Sequence, residues 1–167
     1  MQRGLILHKL MEEILNGEVT DEAKALAARA GELIVSLGKA PVADPATGVS
    51  SAELAGCVAR TLTLPQVIVL RPRFLPEFPV YGIAGNEDVE SATAGIADAL
   101  ALADSGATDV LIDWKSDVNP SDATLDHCYS QVRAYLESSG AGAGLIVLTM
   151  SDRTIAVAAS VQPVFIG

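Results

Sequence analysis

Apolar residues near the start of the chain, Leu5, Leu7, Leu10, Met11, Ile14 and Leu15, recur every three or four positions. That is the period of one helix face, so a helix is expected over residues 4–15, stopping at Asn16-Gly17. A second helix is expected over residues 21–37, where Ala25, Leu26, Ala28, Leu33 and Ile34 share helical spacing. Residues 40–48 carry the prolines and glycine of a linker. Ser50 with Glu53 then forms the capping-box sequence of a third helix reaching about Leu62.

Beyond this point the pattern changes period. Residues 66–70 are β-branched and apolar and predict a first strand, after which Pro72, Pro76 and Pro79 interrupt an extended region through Tyr81. Residues 93–102 and 108–114 predict neighbouring strands joined by Asp104-Ser105-Gly106-Ala107, a hairpin-turn composition. Residues 121–137 predict a helix with Leu125, Cys128, Val132, Tyr135 and Leu136 on its apolar side, stopped by glycines from Gly140. Residues 145–150 and 154–159 predict a last pair of strands. The order implies one α/β domain over residues 1–167, a mixed central β-sheet flanked by helices.

A chain of 167 residues, half of them hydrophobic, can bury a substantial core. No apolar run approaches the roughly 18 residues of a membrane span. His8, Lys9, Glu12 and Glu13 break the N-terminal segment, unlike a secretory signal, so a cytoplasmic protein with no membrane partner is expected. Cys57 and Cys128 stand far apart with no CxxC pair, which indicates neither a zinc knuckle nor a disulfide framework. A formal charge of −10 counts against a free-standing binder of nucleic acid, because phosphate affinity comes largely from Lys and Arg displacing counterions. It counts less if some acids are metal ligands, or if DNA is delivered by a basic partner.

The predicted strand ending in Ile112-Asp113-Trp114-Lys115 carries the most informative chemistry. Strand side chains alternate, so Asp113 and Lys115 share one face and Trp114 turns away, to pack against a helix. A carboxylate can hold a divalent cation, and an ammonium beside it can position water or stabilise charge building on a phosphate. Glu22-Ala23-Lys24 has the same spacing but lies on a predicted helix, where the two side chains diverge. With the turn centred near Ser105 and Gly106, Asp98 falls almost opposite Asp113, and opposed carboxylates are costly unless a cation neutralises them. The bland alternatives are a solvent-facing Asp98, a boundary His8, a core Tyr135, an exposed Gln131, and solvated Arg71 and Arg73 rather than contacts to a DNA backbone.

In order along the chain, Arg3-Gly4 with Leu7-His8 and Glu12-Glu13, Pro76-Glu77-Phe78-Pro79, Gly95-Ile96-Ala97-Asp98, Ile112-Asp113-Trp114-Lys115-Ser116 and Gln131-Val132-Arg133-Ala134-Tyr135 resemble the motifs of the RecB-family nuclease domain. That family belongs to the PD-(D/E)XK superfamily, and the likeness is to the C-terminal domain of AddA-type helicase-nucleases. The match runs nearly end to end, with the Glu77 segment one residue tighter than the family's "E-x-P-F". The resemblance implies a restriction-endonuclease-like core and a Mg²⁺- or Mn²⁺-dependent deoxyribonuclease, an exonuclease acting in double-strand-break repair and recombination. It also implies DNA as partner and a helicase motor, in the same polypeptide or in another subunit, so the chain is expected to be the C-terminal part of a longer helicase-nuclease. By the same resemblance His8, Asp98, Asp113 and the backbone carbonyl of Trp114 would hold the metal. Lys115 would act on the water and the scissile phosphate, with Glu77, Gln131 and Tyr135 completing the catalytic set. Gln131 and Tyr135 lie four apart and share a helix face.

Gly38-Lys39-Ala40 lacks the Ser/Thr and the glycine spacing of a phosphate loop, so this domain has no ATP engine of that kind. Two distant cysteines cannot build the four-cysteine iron-sulfur cluster of related nucleases. A non-catalytic module that keeps the nuclease fold for partner or DNA docking is the alternative reading. The intact Asp98, Asp113 and Lys115 weigh against it.

Overall fold

The computed structural model describes residues 2–86 and 89–159, with the side chains of residues 83–93 outside that description. Helices α1 (Gln2–Leu15), α2 (Ala23–Ser36), α3 (Ser51–Leu62) and the short α4 (Pro65–Leu70) come first. Strands β1 (Phe74–Asn86), β2 (Val89–Leu102) and β3 (Thr108–Lys115) follow, then helix α5 (Asp122–Ser139) and strands β4 (Ala143–Leu148) and β5 (Arg153–Ala158). The sheet order is β1-β2-β3-β4-β5, and only β3 and β4 run parallel. A parallel pair needs a long crossover, which α5 supplies. The result is an α/β domain whose five-stranded mixed sheet is flanked by helices, compatible with a restriction-endonuclease-like core.

The helix ends follow from local chemistry. Ser50 accepts a hydrogen bond from the Glu53 N–H, and Ser121 accepts one from the Thr124 N–H, so both capped starts expose no orphan donor there. Gly17 and Gly140 take left-handed φ angles of 76° and 70° and end α1 and α5. Residues 66–70 are a helix, not the expected strand. Pro65 occupies the first turn, where its missing N–H costs nothing, and Val67 and Leu70, three apart, are buried while Ile68 and Val69 face solvent. That spacing outweighs the β-branched composition. The remaining predicted elements appear within a few residues of their expected bounds, although β2 starts at Val89, earlier than the 93 expected.

Two hydrophobic layers sandwich the sheet. On one side Leu7, Leu10 and Met11 of α1, Leu26 and Ile34 of α2, and Leu54 and Val58 of α3 pack against Ala99, Ala101, Ile112, Trp114, Leu145 and Val147. Phe74 meets Trp114 edge-on, with ring centroids 6.1 Å apart. On the other side Cys128, Val132 and Leu136 of α5 cover Leu100, Leu111, Ile146, Leu148 and Val157. Buried Glu13 of α1 is held by two 2.7 Å bonds from Arg29 of α2, which fixes the first two helices together. No single helix among the described residues is long and apolar enough to cross a membrane.

Helix α5 lies close on the sheet because glycines face it. A Cβ at Gly144 would run into the Val132 side chain, and one at Gly95 into the Tyr135 ring. Gly144→Val is expected to overpack this seam and lower stability by about 1–3 kcal/mol. Gly31, inside α2 with open space where its Cβ would be, should behave oppositely, Gly31→Ala raising stability by roughly 0.5–1 kcal/mol. Urea unfolding midpoints of the two variants against the parent check both signs.

Candidate active site

β2 and β3 pair through Ala99↔Ile112, Leu100↔Leu111 and Ala101↔Val110, and the next step of that register sets Asp98 opposite Asp113. There the backbone ladder gives way to a side chain: Asp98 Oδ2 accepts the Trp114 N–H at 2.7 Å. The other oxygen, Oδ1, lies 3.1 Å from His8 Nδ1 on α1. Asp98 thus ties the first helix to the end of β3. Among the described residues His8 makes this one side-chain hydrogen bond, through Nδ1.

α1 can approach this far because Gly4 faces Ser116, the residue after Lys115; a Cβ there would sit 2.7 Å from Ser116 Oγ. His8 follows one turn later on the same face. Arg3 anchors the helix, donating to the carbonyls of Pro45 and Gly48 at 2.5 and 2.9 Å.

On β3, Asp113 Oδ1 lies 2.9 Å from Lys115 Nζ, and Lys115 also donates to Gln131 Oε1 of α5 at 3.2 Å. Asp113 is only 6% exposed, and its Oδ2 is buried with no hydrogen-bond partner. Burial pushes the Asp113 carboxyl up to about 6; the Lys115 ammonium opposes this, and the Asp98 charge adds to it. For Lys115 burial acts downward, but the Asp113 charge and hydrogen bond outweigh it and hold the ammonium above its ordinary value. For His8 burial also acts downward, and the bond to Asp98 and its charge win, leaving the imidazole raised. Glu77 is raised by partial burial and then by Asp98.

Glu77 stands opposite Asp98 in the β1–β2 register and takes φ 51°, a left-handed conformation uncommon for a residue with a side chain. The hairpin rolls over at this point. Phe74, Ala99 and Ala101 pack toward α1–α3, whereas Phe78, Val80 and Ala97 pack toward α5. The roll turns Asp98 toward α1 although Leu100, two residues on, faces α5.

The structure therefore brings His8, Glu77, Asp98, Asp113, Lys115 and Gln131 to one end of the sheet. Tyr135 packs against Gly95, one turn beyond Gln131, and is partly buried in the core beneath α5. Trp114 is buried against α1–α3, as its strand position predicts. Arg71 and Arg73 pair with Asp21 and Asp109 at 2.8 and 2.7 Å on the surface. Among the described residues no three His, Cys, Asp or Glu side chains are arranged to hold an ion together. In this arrangement Asp98 spends one oxygen on His8 and the other on Trp114, so the expected convergence of His8, Asp98 and Asp113 on one point is not present. Sequence reasoning missed Thr149, whose N–H and Oγ1 both donate to the Lys115 carbonyl, at 2.9 and 3.0 Å. It lies just past β4, where no motif marks it, and only the parallel pairing of Lys115 with Leu148 brings it there.

No protein-family model matches the chain, and no curated protein does. One solved structure with a similar course is described as "Crystal structure of SSO0001", at 18% identity and a TM-score of 0.47, covering 97% of this chain and 82% of that one. Likeness at that level says nothing about function.

Proposed function

We propose that the protein is a divalent-metal-dependent deoxyribonuclease of the RecB-family type, working in the cytoplasm as part of an ATP-dependent helicase-nuclease in double-strand-break repair. The observation that carries this reading is the buried, unpartnered Oδ2 of Asp113, set opposite Asp98 and beside Lys115. A buried carboxylate oxygen without a donor costs stability, and a cation is the ligand that would repay it. Oxygen donors from Asp113 and Asp98, the Trp114 carbonyl and the His8 imidazole suit Mg²⁺ or Mn²⁺. Such an ion supplies charge for the scissile phosphate and acidifies water. Asp98 would exchange its bond to Trp114 or His8 for the ion.

The chain's own residues do the rest. Lys115, held between Asp113 and Gln131, presents a fixed ammonium to a phosphate oxygen or to the attacking water. Gln131 orients Lys115, and Thr149 fixes the strand end that carries it. Glu77, whose carboxyl is raised by desolvation and then by the Asp98 charge, would complete the set at the rim of the site.

Linear DNA should be degraded with Mg²⁺ or Mn²⁺ and left intact with EDTA. Asp113→Ala and Lys115→Ala should each lower the rate by about 10²-fold or more, and Gln131→Ala by roughly 10-fold. Cleavage that survives the first two substitutions unchanged would sink the proposal.

A proton and a cation compete for Asp113. Its folded pKa of about 6 lies above its ordinary 3.8, so this group favours the fold when protonated, and that contribution is lost as pH rises from about 4 through 6. Metal affinity runs the other way. Titration calorimetry with Mn²⁺ should show binding near its plateau at pH 8 and falling by up to about tenfold per pH unit below 6. Affinity flat from pH 8 to pH 5 would contradict Asp113 as a ligand.

A further inference from the structure

Lys115 is the last residue of β3, Leu148 the last of β4 and Arg153 the first of β5. The register sets them side by side as a terminal row of the sheet, Lys115↔Leu148 and Leu148↔Arg153. Cross-strand neighbours share a face, so Arg153 lies on the face of Lys115 with two strand gaps, about 10 Å, between their backbones. Packing fixes which face that is. Leu148 and Val157 are buried under α5 and Ile155 packs with them, which puts Arg153, two residues before Ile155, on the α5 side, where Lys115 meets Gln131. Leu148 is buried between the two cations, while Arg153, on the outermost strand, is exposed.

Lys24, Lys39, Arg133 and Arg153 are the Lys and Arg residues that stand in no ion pair among the described residues. Lys24 lies on α2 and Lys39 just beyond it, in the layer over the other face of the sheet. Arg133 is two residues past Gln131 on α5, and residues two apart on a helix do not face the same way. Arg153 alone of the four shares a strand row with Lys115. The acid next to it in sequence is already spent: Asp152 takes φ 54° in the β4–β5 turn and accepts from Arg60 of α3 at 2.9 Å. The turn thus sends acid and base to opposite layers. A guanidinium is a planar fork of donors that suits a pair of phosphate oxygens, and it keeps its charge at any working pH. Phosphates recur along a nucleic-acid strand, so one whose scissile phosphate lies at Lys115 presents a flanking phosphate along the end of the sheet.

We propose that Arg153 is a substrate-binding residue of the site, a clamp on the backbone phosphate flanking the one at Lys115. The proposal rests on the nuclease reading and deepens it by naming a residue that holds the nucleic acid away from the reacting atoms. A phosphate contact carries no sequence information, so Arg153 sets the affinity and register of the strand and leaves base preference untouched.

Binding is measured in EDTA by anisotropy of a labelled mixed-sequence strand of about 20 nucleotides, with the protein taken to about 300 μM and NaCl varied from about 20 to 200 mM. Arg153→Ala should weaken binding roughly 3- to 10-fold at the lowest salt, equally for unrelated sequences, and reduce the slope of log affinity against log salt by about 1. Arg153→Lys, which keeps the charge, should keep the slope. Lys24→Ala removes the same charge from the other layer and should change neither. In Mg²⁺, Arg153→Ala should raise KM with kcat little changed, because the contact is the same in the bound and the reacting strand. An unchanged slope in Arg153→Ala, an equal loss in Lys24→Ala, or no binding by the parent overturns the clamp, even if DNA is cleaved. Arg153-dependent binding without cleavage in Mg²⁺ would overturn the nuclease reading instead.

Discussion

Strand β3 is covered on both faces, and most of the site's properties descend from that one constraint. Ile112 and Trp114 are locked under α1–α3, and Leu111 lies under α5, so no side chain between them can turn to water. Asp113 must share this dry setting. Its carboxylate is retained at a position where an apolar residue would pack without cost, with one oxygen given to Lys115 and the other given to nothing. The parallel pairing with β4 is part of the same constraint, because it forces α5 across the sheet and thereby delivers Gln131 to Lys115.

Much of this was legible in the sequence because it depends on period and register. The 3.6-residue pattern of α1 and α5 and the Ser121 cap set those helices nearly where they occur. The Asp104–Ala107 turn was legible and brings Asp98 close to Asp113, but it starts the ladder at Leu102↔Thr108, and a bulge between Ala101 and Leu102 then shifts the register by one residue to set the two acids opposite. What composition could not show was the helix at residues 65–70, where a proline at the first turn and burial three residues apart decide the matter. Nor could it show what Asp98 does with its oxygens. Local pattern places a strand residue on a face, but here the hairpin changes faces near Glu77, which takes a positive φ, and no alternation rule shows that.

Asp98 is also where fold and proposed chemistry compete. Its carboxylate replaces the ladder hydrogen bond that β2 and β3 lose as they part, and it fastens α1 through His8. An ion taken at this place would draw on the same oxygens, so binding it means loosening a structural link. The His8 half of the link suits that exchange, since its side chain is 35% exposed and can turn to water, whereas Trp114 and Asp113 are buried.

Charge sets the remaining condition. A domain carrying −10 overall, with most of its cations spent on its own acids, gains little from phosphate attraction, and Lys115 is itself held by Asp113. On the proposed reading, a polyanion reaches the site only if something other than this chain's charge brings it there. A motor feeding the strand would, on that reading, supply that force. The net negative charge then has a use, because nucleic acid that drifts up unaided would meet repulsion. Selectivity would arise from what the domain fails to attract as much as from what it holds.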